Sequence, residues 1–346
     1  MEFTTTAISV LLLVAMAIPG FLLTKSKLVK PSAIAYFAAV LLYVCQPFLS
    51  LRSFLQVQYS LELLKNLGIV FGFTMVTQIA LFLVLYFVLK RKFDKPEITA
   101  SLIAEGYIGG NTITNEPALN AQIKSTVRGR AYRVMVLAST FGNVGFFGVP
   151  VLQMLFPSHP EAIAYSAICI VSMNLMCWTV GAYVLTGDKK YIKIKKAVFN
   201  PQMLTLFVAL PLFFAGVTIN SIPEPITKVI GYLADMTAPL CMLILGMRFA
   251  VAPMKELFTD WKVYVITAIK IVIFPLIVFL VLMPFHMDSI MRATLVILSG
   301  MPCASINLNL AELYGADQKT AANSILLSTL LCIITIPLIM LLVPIT

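Results

Sequence analysis

The chain reads as an all-α integral membrane protein whose ten transmembrane helices form two inverted five-helix repeats. Three observations predict this fold. Apolar runs of membrane length recur along the whole chain. Basic residues gather in alternate connections. Two segments rich in Gly, Pro and Asn fall at matching places in the two halves.

The apolar runs come first. Of 346 residues, 60% are hydrophobic and 12% charged, against about 45–50% and 25% in soluble domains. A helix crossing a bilayer needs about 20 mostly apolar residues. Such runs lie at 7–24, 32–55, 63–89, 132–156, 161–186, 201–219, 226–250, 261–283, 288–314 and 319–344. The first carries Glu2 ahead of it rather than a basic segment and lacks a small-x-small cleavage site. It reads as a span, not a cleaved signal.

Charge orients these spans. Most of the 25 Lys and Arg follow spans 1, 3, 5, 7 and 9, as in Lys25-Ser-Lys27, Lys90-Arg91-Lys92, and Lys189, Lys190, Lys193, Lys195 and Lys196. The positive-inside rule puts those connections in the cytoplasm and both termini outside a cell membrane. The net charge of +10 then reflects topology and contact with anionic lipid, and calls for no nucleic acid. Cys45, Cys169, Cys177, Cys241, Cys303 and Cys332 are scattered and form no Cys-x-x-Cys pair. With only two His beside them, no metal or other cofactor is expected. No His-Glu-x-x-His, midplane Ser–His pair or P-loop occurs, which argues against an enzyme and against direct ATP coupling.

The chain divides into residues 1–186, a basic linker 187–200, and residues 201–346. The first part includes a polar cytoplasmic insert at 91–131. Five spans per half is an odd number, so equivalent helices run oppositely through the membrane, as in an inverted repeat. Span 2 carries Gln46-Pro47 and Arg52, and span 7 carries Ala238-Pro239 and Arg248. Each pair places Pro mid-span and Arg near one end.

Spans 4 and 9 carry the matched segments. Span 4 reads Phe141-Gly142-Asn143-Val144-Gly145-Phe146-Phe147-Gly148-Val149-Pro150. Span 9 reads Ser299-Gly300-Met301-Pro302-Cys303-Ala304-Ser305-Ile306-Asn307-Leu308-Asn309. Pro removes a backbone donor and Gly loosens a helix. Backbone groups freed this way cannot face lipid. A lone break reads as a tolerated proline kink, and Pro47, Pro211, Pro239 and Pro275 fit that description. Two breaks at corresponding positions point to a transporter's binding site. Half-helix N-termini favour an anion, and Asn adds neutral donors and acceptors. The expected ligand is a small carboxylate.

At these residues the sequence resembles the auxin efflux carrier family, in its bacterial malonate-type branch. The resemblance rests on Gly142-Asn143-Val144-Gly145-Phe146 with Gly148-Val149-Pro150, on Asn200-Pro201, and on Pro239 to Gly246. It continues through Met301-Pro302-Cys303-Ala304, Asn307, Ala311 and Tyr314-Gly315-Ala316-Asp317. It implies a crossover elevator, with spans 1, 2, 6 and 7 as a scaffold that often dimerises. Spans 3–5 and 8–10 would form the moving domain, and spans 4 and 9 would cross at Pro150 and Pro302. Substrate contacts are then expected from Asn143, Val144, Gly145, Pro150, Asn174 (four residues before Trp178), Pro302, Ser305 and Asn307. Plant members carry a long loop between spans 5 and 6, whereas this chain has a short basic link there. Auxin and loop-based regulation are therefore not carried over.

Lys270 lies nine residues past Trp261, roughly 13 Å into the membrane. It reads either as a structural ion pair or carbonyl ligand, or as a group that attracts the anion. Asp235 is its candidate partner or a proton carrier, and the coupling ion, H+ or Na+, is left open. Gln78 and Asn309 read as interhelical hydrogen bonds. Arg52 and Arg248 read as headgroup contacts. A secondary transporter of a mono- or dicarboxylate is the leading function. A non-transporting sensor of the same fold is the alternative.

Overall fold

A computed structural model describes residues 8, 11–93, 132–186, 189–199, 201–252, 257–314 and 316–343. Helix occupies each apolar run. In chain order these are α1 (Leu11–Lys25), α2 (Ala33–Gln56), α3 (Leu61–Phe93), α4a (132–140), α4b (Val144–Leu155) and α5 (Pro160–Thr186). They continue with α6 (Pro201–Phe214), α7 (Glu224–Val251), α8 (Trp261–Leu282), α9a (Ser289–Ser299), α9b (Ile306–Tyr314) and α10 (Gln318–Leu342). Six of them, α2, α3, α5, α7, α8 and α10, are long and apolar enough to cross a membrane. Among the described residues the only β-type pairing is one antiparallel bridge, Gly142 with Cys303. The polar insert lies outside the described residues, apart from helical residues 91–93.

The prolines shape the helices in a repeated way. A π-turn spans Leu41–Cys45 ahead of Pro47, Val144–Gly148 ahead of Pro150, and Ile269–Ile273 ahead of Pro275. Each ends two residues before the ring. Proline lacks an N–H and crowds the carbonyl one turn earlier, and widening that turn by one residue makes room without breaking the helix. Gly145 and Lys270 sit in two of these widened turns, and Gln46 directly follows the third.

Two glycines let helices touch backbone to backbone. A Cβ on Gly246 of α7 would lie 1.8 Å from the Ala17 carbonyl oxygen of α1, and one on Gly20 of α1 would lie 2.0 Å from the Leu243 carbonyl oxygen. Only residues without a side chain allow this approach, so α1 and α7 form a tightly locked pair. Helix α2 packs against both α6 and α7, while α3 packs on α5 and α8 on α10. One buried cluster, including Phe82, Tyr132, Phe141, Cys303 and Leu310, surrounds one side of the α4 and α9 breaks. A larger one, including Leu49, Phe147, Met242, Leu298 and Met301, fills the other side.

Candidate substrate cavity

The two broken helices cross through their backbones. Asn143 N–H donates to the Pro302 carbonyl at 2.6 Å, and Ala304 N–H donates to the Phe141 carbonyl at 2.9 Å. The Asn307 side-chain amide donates to that same Phe141 carbonyl at 3.4 Å. The Ser328 hydroxyl of α10 accepts from Cys303 N–H at 2.9 Å. Groups that a proline or glycine frees from one helix are thus satisfied by the other, as a buried backbone requires. Asn143 also caps α4b, its side-chain oxygen accepting from Phe146 N–H at 3.2 Å. That leaves its NH2 as the group it can offer a ligand.

Beside this crossing lies a cavity of about 890 Å³, within the range of small-molecule sites. One wall comes from the broken helices and their neighbours: Gly142, Asn143, Gly145, Asn174, Trp178, Ser305 and Asn309. The facing wall comes from α2, α6 and α7, including Tyr43, Gln46, Pro201 and Arg248. Pro31, Ser32, Pro201, Val251 and Ala252, at the ends of α2, α6 and α7, lie toward the basic connections. Among the described lining residues Arg248 alone carries a formal charge. It stands in the last turn of α7, where the helix's carbonyl end favours a cation. Its guanidinium donates to the Ser305 hydroxyl at 3.0 Å.

Lys270 lies behind the crossing rather than in the cavity. It is buried, donates to the Ser299 carbonyl at the end of α9a, and sits over the Phe274 ring at 4.8 Å. A Cβ on Gly142 would meet its Cε at 2.9 Å. Lys270 therefore presses against the crossing and neutralises a helix C-terminus. Thr74, Thr77, Gln78, Thr140 and Ser299 share a pocket of about 40 Å³ with it.

The expected site residues thus separate into groups. Asn143, Gly145, Asn174 and Ser305 come together in the cavity. Pro302 contributes a carbonyl to the crossing, Asn307 supports it from a buried position, and Val144 is buried with its N–H on the Gly142 carbonyl. The crossing falls at 141–143 and 302–304, not at Pro150. Pro150 lies within α4b, where the widened turn Val144–Gly148 ahead of it accommodates its missing N–H. Asp235 does not meet Lys270. It is largely exposed and pairs with Arg52 at 2.7 Å, joining α7 to α2, so Arg52 is held by an ion pair as well. Arg248 points into the cavity instead of to headgroups. Asn309 is exposed on the cavity wall, and the buried Gln78 side-chain oxygen has no hydrogen-bond partner.

Gln46 is the residue that sequence reasoning passed over. It is 3% exposed and lines the cavity, and its side-chain nitrogen has no hydrogen-bond partner. A Cβ on Gly145 would lie 2.9 Å from that nitrogen. An amide directly before a mid-span proline was the available signal.

Helices of membrane length, six of them long and apolar enough to cross a bilayer, define a polytopic membrane protein. A family model described as "Membrane transport protein" matches residues 125–340. The chain belongs to this membrane transport protein family, the auxin efflux carrier family that its motifs resemble. Among curated relatives, an uncharacterized transporter of Methanocaldococcus jannaschii is 29% identical over 208 residues, 59% of this chain and 66% of that protein. A protein of Rhizobium meliloti named "Putative malonate transporter" is 27% identical over 209 residues, 58% of this chain and 63% of its own length. The chain thus spans slightly less than two thirds of the curated relatives it matches.

Proposed function

We propose that the protein is a secondary transporter that moves a small mono- or dicarboxylate across the membrane by a crossover-elevator motion. The observation that carries this reading is the 890 Å³ cavity bounded by the breaks of both discontinuous helices, with Arg248 as its charged lining residue. An anion there meets a guanidinium, the Asn143 and Asn174 amides, the Ser305 hydroxyl and the apolar faces of Trp178 and Phe146. That combination suits a carboxylate on a short organic body. The malonate named for one relative is a molecule of this class.

The elevator reading divides the helices into two groups. Helices α1, α2, α6 and α7 form the scaffold, held by the glycine contacts of α1 with α7. Helices α3–α5 and α8–α10 form the moving body, which carries the crossing. All ten spans cross the membrane in this reading, the two halves being inverted copies. The mouth then opens toward the cytoplasm, because the helix ends around it adjoin the basic connections.

The test is flux of a labelled carboxylate into liposomes containing the purified protein. Asn143→Ala removes an amide from the cavity wall and a helix cap worth about 1 kcal/mol. It should abolish flux while the yield of folded protein stays within twofold. Full transport by that variant removes the site from the crossing.

A further inference from the structure

We propose that the basic linker between α5 and α6 is a docking surface for anionic phospholipid of the cytoplasmic leaflet, and that lipid seated there sets the position of Trp178 in the cavity wall. The inference rests on the orientation read from the basic connections. It adds a regulator to the cavity and assigns no further substrate contact.

A hydrogen bond skipped within α5 ties the linker to the cavity. Residues Cys177–Gly181 form a π-turn with no proline after it in that helix. The Ala182 N–H, which an α-helix would direct to the Trp178 carbonyl, donates to the Cys177 and Thr179 carbonyls instead. The Trp178 carbonyl accepts the Lys193 N–H of the linker at 3.0 Å. Trp178 lies eight residues before the end of α5 at Thr186, about 12 Å along the helix. The linker therefore folds back beside α5 instead of leaving into the cytoplasm. Its short helix, Ile194–Val198, packs against α5.

The outward side of the linker fits a membrane surface. Ile194 and Phe199 are 62% and 68% exposed, and Ile192 is exposed as well. Lys189, Lys190, Lys193 and Lys195 stand exposed among them. Residues 187–200 hold five Lys against one Asp. Apolar side chains interleaved with lysines settle at the boundary of headgroups and acyl chains, where the lysines meet lipid phosphate. The fold-back brings this side down beside the membrane end of α5, which selects a lipid surface over a soluble partner.

The linker reaches the cavity at two points. Trp178 lines it, and so does Pro201, two residues past Phe199. Anionic lipid that holds Ile194, Lys195 and Phe199 in the leaflet keeps the Lys193–Trp178 bond closed and the indole in place. Without that lipid the linker lifts, the carbonyl loses its donor, and the wall loosens.

The experiment uses the full-length protein in phosphatidylcholine vesicles with and without phosphatidylglycerol. A bimane label on Ile192→Cys reports insertion of the linker against six buried native cysteines. Trp178 emission is read in a Trp261→Phe background, which leaves one tryptophan. Phosphatidylglycerol should shift both emissions to the blue and speed carboxylate flux severalfold. Each Lys near an anionic surface strengthens binding about fivefold. The double variant Lys193→Gln, Lys195→Gln, which keeps the Lys193 N–H, should therefore give the phosphatidylcholine signals in both vesicles. Lys25→Gln with Lys27→Gln, in the connection after α1, should respond as wild type does.

Bimane emission that is equal in both vesicles overturns the lipid docking, as does a full phosphatidylglycerol response in the Lys193→Gln, Lys195→Gln protein. A response lost equally in Lys25→Gln with Lys27→Gln reduces the effect to net charge and overturns the assignment to the linker. Bimane that shifts while Trp178 emission stays fixed overturns the link to the cavity. Both emissions shifting in a protein that carries no carboxylate upholds the inference and overturns the transport reading, so the two fail separately.

Discussion

Gly246→Ala should unlock α1 from α7. The added methyl carbon would sit 1.8 Å from the Ala17 carbonyl oxygen and 2.8 Å from the Phe21 nitrogen, where ordinary contact begins at 3.4 Å. Both neighbours are backbone atoms, so no rotamer change relieves the clash, and the helices must move apart along their contact. Overpacking of this kind costs about 1–3 kcal/mol, and a backbone-to-backbone contact belongs at the upper end, about 3 kcal/mol. Moving the helices apart also loosens the reciprocal contact at Gly20, whose Cβ would lie 2.0 Å from the Leu243 carbonyl oxygen. The assay is unfolding by denaturing detergent, with helicity followed by circular dichroism. Gly72→Ala in α3 is the matched control, since nothing lies within 4 Å of its Cβ position. It should stabilise the protein by about 0.5–1 kcal/mol, the usual gain of Ala over Gly inside a helix. If Gly246→Ala unfolds at the wild-type midpoint, the locked pairing of α1 with α7 is refuted.

Other substitutions separate roles that the sequence ran together. Asp235→Asn removes an ion pair whose carboxylate is 66% exposed. It should cost less than about 1 kcal/mol and leave carboxylate flux unchanged, whereas a large loss of flux would restore Asp235 as a coupling group. Asn307→Leu removes the side-chain donor on the Phe141 carbonyl. It should lower stability by about 1 kcal/mol with the carboxylate Kd kept within about twofold, since Asn307 does not line the cavity. Lys270→Met strips the ammonium from the Ser299 carbonyl. It should cost about 1–3 kcal/mol without changing the carboxylate Kd, and a tenfold weaker Kd would return Lys270 to the binding site.

The apolar runs and the two Gly-Pro-Asn segments were legible because both are local properties: twenty apolar residues, or a donor missing from a ladder. The place of the crossing was less so. Pro150 and Pro302 look alike in sequence, yet Pro150 lies within helix α4b while Pro302 lies in the non-helical stretch at the crossing. The difference is set by which backbone groups find partners on the other broken helix. Arg248 was misread, and Lys270 was left between a carbonyl ligand and an anion attractor, for a related reason. Position along a span gives depth in the membrane, but each residue turns the side chain by about 100°. Only the neighbouring helices decide whether it meets lipid, a cavity or a carbonyl. Arg248, near a helix end, turns inward to Ser305. Lys270, near midspan, turns behind Gly142. Gln46 was hidden because an amide in an apolar run reads equally as an interhelical bond, and its lack of a partner exists only in three dimensions.

Occupancy of the cavity by a carboxylate is the central claim, and chemical protection tests it most directly. Asn309 is exposed on the cavity wall, and the six native cysteines are all buried, so Asn309→Cys supplies a thiol in the cavity against a quiet background. Its rate of modification by a negatively charged thiol reagent is measured in liposomes with and without saturating carboxylate substrate. The account predicts labelling slowed at least tenfold by the carboxylate and untouched by its neutral amide. An identical rate with and without a carboxylate that the same liposomes transport would place the substrate elsewhere and contradict it.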